Sequence, residues 1–341
     1  RCYSRLAWFV LMAVEFVYLH NHYDYSLLDG AQNIDVMLDT VLELGMDSIA
    51  LTEHGNMFRA LKFYQAAINK GIKPIIGSEV YVAKGKHTEK SGQLGGGSNH
   101  LILLAQNFIG YKNLMKLVTY GYLDGFYYRP RIDKKLLRKH SDGLIALCAC
   151  LKGEIPERLV KNDYKGAKKA ALEFAEIFPG RFYLEVQNHR ISEEQINITG
   201  TIRLAEEIGL PIVATNDAHY AQKEHYDAHD IHICLATGKE RNDPNRMRYA
   251  TDEFYLKSQD EMYALFGDIP GAIENSRRIA DSIDLEIPLG KYHLPKFPMP
   301  KESMNSNTDD YLHELCIKGL SNRYSIISDE INSRLDHELS V

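Results

Sequence analysis

The chain has 341 residues, 45% hydrophobic and 25% charged, an ordinary globular composition with room for one large domain and part of a second. Its net charge of −6 excludes nucleic-acid binding by overall charge, so contact with DNA would need a local basic surface or bound cations. Five cysteines (Cys2, Cys148, Cys150, Cys234 and Cys316), with one close pair among them, do not form a disulfide framework and indicate a reducing cytoplasm.

The first fourteen residues place Arg1 and Arg5 ahead of an apolar run at 6–14, in imitation of a signal peptide. The run is too short to span a membrane, and no small-x-small cleavage site precedes the first motif. Residues 1–12 read as extraneous or upstream, with Met12 as a candidate start. The apolar residues 16–19 read as a strand and deliver His20 and His22 at its end. Side chains at i and i+2 of a strand share a face, so two imidazoles stand side by side, a pairing that suits zinc, manganese or iron.

Residues 33–44 have helical apolar spacing, with Gly45 as a C-terminal cap. A strand at 48–52 ends at Glu53-His54-Gly55, a helix follows at 58–70, and a strand at 73–79 ends on Glu79. Residues 84–98 are polar and Gly-rich, as a loop requires. Strands at 100–105, 143–148, 181–187 and 211–215 then alternate with helices at 108–122, 164–178 and 192–208. The alternation predicts an α/β fold with a parallel sheet or barrel. Neither a GxGxxG fingerprint nor a GxxxxGK[ST] loop occurs, so a Rossmann or P-loop nucleotide site has no support.

The metal-type residues fall at the strand ends. After His20 and His22 come Glu53 and His54, Glu79, Cys150, Glu185 and His189, and the i, i+2 pair Asp217 and His219. His100, beside Asn99, is the exception, because it begins its strand. One histidine near a strand end is ordinarily a hydrogen-bonded surface residue. Six segments with the same habit, and His100 as a seventh at a strand start, point to the single mouth where parallel barrel strands converge. Histidines, carboxylates and a thiolate exceed the four ligands of a structural zinc and suit two or three bridged divalent metals, the kind of centre that hydrolyses phosphate esters.

The motifs LHNHYDYSLLDG, ALTEHGNMF, GIKPIIGSEVYVA, NHLILLAQN, YYRPRID, ALCACLKGEIP, YLEVQNH and ATNDAHY, with EFYLKSQDEMYALF and LPKFPMP, carry a resemblance. Over residues 13–341 the chain resembles the PHP (polymerase and histidinol phosphatase) domain at the N-terminus of bacterial replicative DNA polymerase III alpha subunits. The resemblance implies a distorted (β/α)7, TIM-like barrel over 13–285 and a short helical C-terminal extension over 286–341. That extension corresponds to a linker and the truncated start of a polymerase core. It implies metal ligands at His20, His22, Asp29, His54, Glu79, His100, Cys150, Asp217 and His219, holding two or three divalent ions (Zn, Mn or Fe). Cys150 takes the family's cysteine position. Cys148 shares its face on strand alternation and reads as a packed small residue.

The family usually has Thr-Asp-His where this chain has Thr52-Glu53-His54. The extra methylene of Glu53 bears on an outer hydrogen bond or a bridging contact, and hence on catalysis. The resemblance further implies phosphodiester hydrolysis as a 3′→5′ exonuclease in DNA replication, acting on a primer 3′ end. The polymerase core of the same full-length chain, a proofreading subunit and a sliding clamp are the implied partners, with no membrane involved. The competing expectation is a non-catalytic, metal-stabilised scaffold that docks the core or a proofreading subunit. A free-standing phosphatase is disfavoured by the polymerase-like tail.

Two other features stand apart. Residues 120–131 (YGYLDGFYYRPR) interleave aromatics with Arg129 and Arg131, which suits single-stranded DNA, although core aromatics and a solvated basic helix face explain them somewhat better. His225, His229 and His232 share a helix face and read as surface residues.

Overall fold

Strands and helices alternate because short apolar runs, each bounded by a glycine or a polar cap, are separated by stretches of helical periodicity. The computed structural model describes residues 16–90, 97–292, 294–301 and 307–341, so residues 1–12, with Met12, lie outside the described residues. The order is α1 (Ile34–Glu43), β1 (Ser48–Leu51), α2 (Ala60–Asn69), β2 (Lys73–Ala83), β3 (Ser98–Ala105), α3 (Phe108–Leu123) and the hairpin β4 (Phe126–Tyr127) and β5 (Arg129–Ile132). Next come α4 (Lys134–Lys139), β6 (Leu144–Leu147), α5 (Glu154–Val160), α6 (Tyr164–Ile177), β7 (Phe182–Val186), α7 (Ser192–Ile208) and β8 (Ile212–Ala214). Three further helices, α8 (Tyr226–Thr237), α9 (Gln259–Phe266) and α10 (Ala272–Ser282), complete the first unit, which ends at Ile287.

The sheet is a distorted α/β barrel. From β2 it runs through β3, β6 and β7 to β8, and β1 pairs with the first half of β2. Residues 16–22 join its two ends. Tyr18 bridges Ile49 beside β1, and Asn21 bridges Ala218 just past β8. The ring is held there by Ala50 N–H donating to Tyr18 O and His22 N–H donating to Ala218 O, each at 2.8 Å. The strand residues of β1, β6 and β8 are buried throughout, as strands covered on both faces must be.

The sheet is mixed rather than all parallel. β3 runs antiparallel to both β2 and β6, while β1–β2, β6–β7 and β7–β8 are parallel. A short apolar run carries no directional signal, so periodicity alone could not reveal the reversal. It accounts for the one misfit in the sequence pattern: the start of an antiparallel strand lies at the same mouth as the ends of its parallel neighbours.

Local chemistry fixes the helix ends. Asn33 caps α1 by accepting from Asp35 N, Asn107 caps α3, and Ser258 with Glu261 forms a capping box on α9. Gly209 ends α7 in the left-handed region. The second unit, Pro288–Val341, contains α11 (Thr308–Arg323), capped by Asn307, and α12 (Asp329–Ser340), capped by Ser328.

Candidate metal centre

The loop after the first strand segment builds one wall of the site. Ser26 N–H donates to Tyr23 O at 2.8 Å, and Asp29 and Gly30 N–H both donate to Ser26 O, so the chain turns back on itself. A Cβ on Gly30 would lie 1.7 Å from Tyr23 O, so only glycine permits this turn. The turn carries Asp29 to His54, with Oδ1 3.2 Å from Nε2. The opposite wall comes from the segment just past β8, where Asp217 adopts φ 42° and His219 follows. A non-glycine residue in that region is strained, and such strain is typical of functional sites.

Glu79 is the hub. Its carboxylate lies 3.7 Å from His20 Nε2, 3.4 Å from His22 Nε2, 2.5 Å from His54 Nδ1 and 2.6 Å from His100 Nδ1. Cys150 Sγ is 3.9 Å from Glu79 Oε1 and 3.8 Å from His100 Nδ1. Asp217 Oδ1 stands 3.1 Å from His20 Nε2 and 3.0 Å from His22 Nε2, and these two ring nitrogens are 3.2 Å apart. His219 Nε2 is 4.0 Å from Asp29 Oδ2. Thus all nine side chains that the resemblance implied as ligands meet at one mouth.

Three overlapping groups have donor atoms near enough to share an ion: His20, His22 and Glu79; His22, His54 and His219; and His54, Glu79 and His100. Cys150 touches the third group without belonging to it by that criterion. Cys148 is turned away. Ala149 takes a left-handed φ of 66°, which breaks the strand alternation. Cys148 Sγ then accepts from Glu185 N at 3.0 Å in the core, while Cys150 faces the mouth.

The surroundings fix which ring atoms are free. His20 Nδ1 donates to Glu185 Oε1 at 2.7 Å, and Glu185 is itself held by Ala149 N, Gln187 and Thr215. His22 Nδ1 donates to Ser26 Oγ at 3.0 Å, and Ser26 in turn donates to Glu53 Oε2. Both Nε2 atoms, whose lone pairs a cation would take, therefore point at each other and at Asp217. Holding the outer nitrogen so that the inner one is free is the usual arrangement behind a metal-binding histidine.

The fit to cations rests on these lone pairs. Asp29 Oδ1, Glu79 Oε2, Asp217 Oδ1 and His54 Nδ1 are buried with no aligned hydrogen-bond partner, although each has a polar neighbour at 2.5–3.2 Å. Such contacts need a cation between them or an extra proton on a ring, and against burial the Glu79 and Asp29 carboxylates raise His54 well above its ordinary value, so a metal ion would displace that proton. Two donors bound about 2.1 Å from one tetrahedral ion stand roughly 3.4 Å apart, close to the separations here.

The electrostatics show what a cation would replace, because without one extra protons on His20 and His54 offset the surrounding carboxylates. Burial, then the nearby His54 and His219, pull His22 down to about 3, which keeps its ring neutral. Burial opposes protonation of His20, but Asp217, Glu185 and Glu79 outweigh it and raise the ring to about 9. Asp29 and Asp217 are held below the usual carboxylate range against the effect of burial, by His54 and by His20 respectively. Burial and then the Glu79 and Asp217 carboxylates push the Cys150 thiol well up, so a neighbouring cation is needed to make it a thiolate.

Glu53 stands behind His22, outside the cluster, accepting from Ser26 and from Tyr23 N at 3.1 Å. Its link to the cluster runs through the Ser26 hydroxyl, which also meets His22 Nδ1. Burial raises its carboxyl from 4.5 to about 7 against the Ser26 bond.

Other residues took unexpected places. His229 is buried, and its Nε2 donates to Asp29 O at 2.7 Å, supporting the loop. His189 donates through Nε2 to Asn216 O at 2.8 Å and through Nδ1 contacts Glu194 at 2.6 Å, so it braces the wall rather than joining the cluster. Tyr249 donates to His219 Nε2 at 2.7 Å, and no periodicity or motif pointed to it. The mouth opens into a cavity of about 560 Å³ whose rim includes Arg129, Lys152 and Arg248.

A mixed α/β barrel with a histidine–carboxylate cluster at one mouth defines a class of metal-site barrels. Residues 18–189 match the PHP domain model, and the chain belongs to the PHP domain family. It is 46% identical over 328 residues to the DNA polymerase III subunit alpha of Borreliella burgdorferi and 42% identical over 330 residues to that of Treponema pallidum. In each case 96% of this chain is covered, yet it spans only 28% of the relative's length. Among solved structures, a two-domain Bacteroides vulgatus protein containing a "predicted PHP-like metal-dependent phosphoesterase" aligns with a TM-score of 0.37 at 16% identity. That alignment covers 77% of this chain and 63% of the other.

Proposed function

We propose that this chain is the PHP part of a DNA polymerase III alpha subunit and that its cluster is a multinuclear metal centre for phosphodiester hydrolysis, acting as a 3′→5′ exonuclease on a primer end. Its ligands are His20, His22, Asp29, His54, Glu79, His100, Cys150, Asp217 and His219. The observation that carries this reading is the convergence of buried imidazoles and carboxylates on Glu79, several of their atoms without an aligned hydrogen-bond partner. Two or three divalent ions (zinc, manganese or iron) would supply a hydroxide at neutral pH and neutralise the phosphoryl oxygens.

The chain's own residues do the rest. Glu185 holds His20, and Ser26 with Glu53 holds His22, so their Nε2 atoms stay aimed inward. Glu53 acts through His22, not on substrate. Arg129, Lys152 and Arg248 give the rim positive charge suited to a phosphodiester backbone, despite the net charge of −6. DNA, the polymerase core of the full-length chain, a proofreading subunit and a sliding clamp are the partners this reading entails, in the cytoplasm. No helix among the described residues is long and apolar enough to cross a membrane.

A second reading is a metal-stabilised scaffold that docks the core or a proofreading subunit. The full burial of His20, His22 and Glu79 favours it, since such side chains tie the barrel together whether or not substrate reaches them. One experiment separates the two. The purified chain is analysed for metal content and assayed on a 3′-mismatched primer with added manganese or zinc, beside His20→Ala/His22→Ala. The enzymatic reading expects a metal-loaded wild type that is at least a hundredfold faster than the double variant. Equal rates with metal bound leave the scaffold, and absence of metal from the wild type removes both readings.

A further inference from the structure

His219 reaches the cluster with only one free ring position, and a tyrosine already occupies it. Its Nδ1 lies 2.7 Å from Asp217 O, a carbonyl that only accepts, so Nδ1 carries the proton and Nε2 carries the lone pair. The Tyr249 hydroxyl donates to that lone pair at 2.7 Å and also lies 3.3 Å from Asp29 Oδ2. A phenol thus bridges His219, which can share an ion with His22 and His54, and Asp29, whose Oδ2 lies 4.0 Å from His219 Nε2.

Its setting allows it to hold or release that position. The ring packs edge-on against Phe254 at 4.5 Å and His229 at 4.9 Å. The loop is pinned before it by Arg246, paired with Asp230 at 2.6 and 2.7 Å, and after it by Thr251, which donates to His189 O at 2.8 Å. Between those pins, Met247, Arg248 and Ala250 are exposed and line the cavity. Tyr226 Oη also donates to Tyr249 O at 3.2 Å, so the backbone is held at this residue and the movement that frees His219 is rotation of the Tyr249 side chain toward the cavity.

We propose that Tyr249 is a gate on the Asp29–His219 position, its hydroxyl competing with a divalent cation for the His219 Nε2 lone pair. An ion bound roughly 2.1 Å from Nε2 needs the space in which the phenolic oxygen now lies. Entry of the ion breaks the Tyr249–His219 hydrogen bond and swings the phenol toward the cavity. This inference rests on the metal reading above and adds to it that one position is filled last and most weakly, against its own lid.

The test is zinc binding to the 341-residue chain, stripped by chelator and measured by competition with a chromophoric chelator, for wild type, Tyr249→Phe, His219→Ala and the double variant. Tyr249→Phe keeps the ring packing and removes the competing hydroxyl. It should bind the weakest zinc roughly three- to tenfold more tightly, the worth of one hydrogen bond. In the His219→Ala background the same change should have no effect. Wild type should also give a tyrosine near-ultraviolet difference spectrum on filling that position, absent from Tyr249→Phe. Unchanged or weaker zinc affinity in Tyr249→Phe overturns the gate while leaving the metal centre standing. Failure of the wild type to bind any zinc overturns both.

Discussion

Glu79 is the side chain on which the centre depends most, because four ring nitrogens and a thiol converge on its two oxygens. Glu79→Gln keeps the shape and removes the charge. It should cost at least one metal equivalent per chain, measured by elemental analysis after desalting, and a full wild-type complement would contradict the hub. Glu53 makes a different prediction. Its carboxyl is raised by burial to about 7 in the folded chain, against 4.5 ordinarily. A group raised in this way contributes stability below its unfolded value, and that contribution is lost as pH rises through the folded value. In metal-free protein, Glu53→Gln should therefore gain stability relative to wild type between pH 4.5 and 7, by about 1–3 kcal/mol. Paired urea melts at pH 4.5 and pH 8 read this directly. A constant difference between the two proteins would show that Glu53 titrates normally.

At the scale of elements, the β4–β5 hairpin is locked to the turn that carries His54. Gly55 has φ +64°, and a Cβ there would lie 2.8 Å from Pro130 Cγ and 2.9 Å from the Tyr81 ring. Gly55→Ala combines a left-handed penalty with overpacking and should destabilise the chain by roughly 2–4 kcal/mol in denaturant melts. A loss under 1 kcal/mol would mean that the hairpin moves aside freely. The glycine was visible in the sequence, but its partner was not, because contact between residues 55 and 130 leaves no local trace. The same limit runs through the site. His20 with His22 and Asp217 with His219 were legible, since i, i+2 spacing at a strand end has one geometric meaning. Asp29 came only from resemblance, because it lies in a turn whose path depends on Gly30. His100 looked misplaced until β3 proved antiparallel. Tyr249 and Ser26 gave no signal, because neither sits in a periodic pattern. The aromatics of residues 120–131 are not core residues, since none of them is buried and Phe126 is 47% and Tyr128 81% exposed, whereas the basic Arg131 is the buried side chain.

For the molecule as a whole, the cluster is a set of tethers between strands far apart in sequence, running from His20 to His219. An unfolded chain holds no such site, so any ion bound by the native state stabilises it by mass action. At a free concentration one hundred times its dissociation constant, each ion adds about 2.7 kcal/mol. For a domain of this size that is roughly 5–10 °C in Tm per ion. The barrel has support besides the metal, however, since among the described residues a large cluster of buried apolar side chains runs from Phe16 to Leu285 and a smaller one gathers Tyr220, Phe254 and Tyr255. Removal of metal by a chelator should lower Tm by that amount while leaving the far-ultraviolet circular dichroism at low temperature unchanged, and stoichiometric zinc should restore Tm. Loss of the circular dichroism on chelation would make the centre a condition of folding, as in a zinc finger. An unchanged Tm after proven depletion would mean that the lone pairs around Glu79 relax at no cost without a cation.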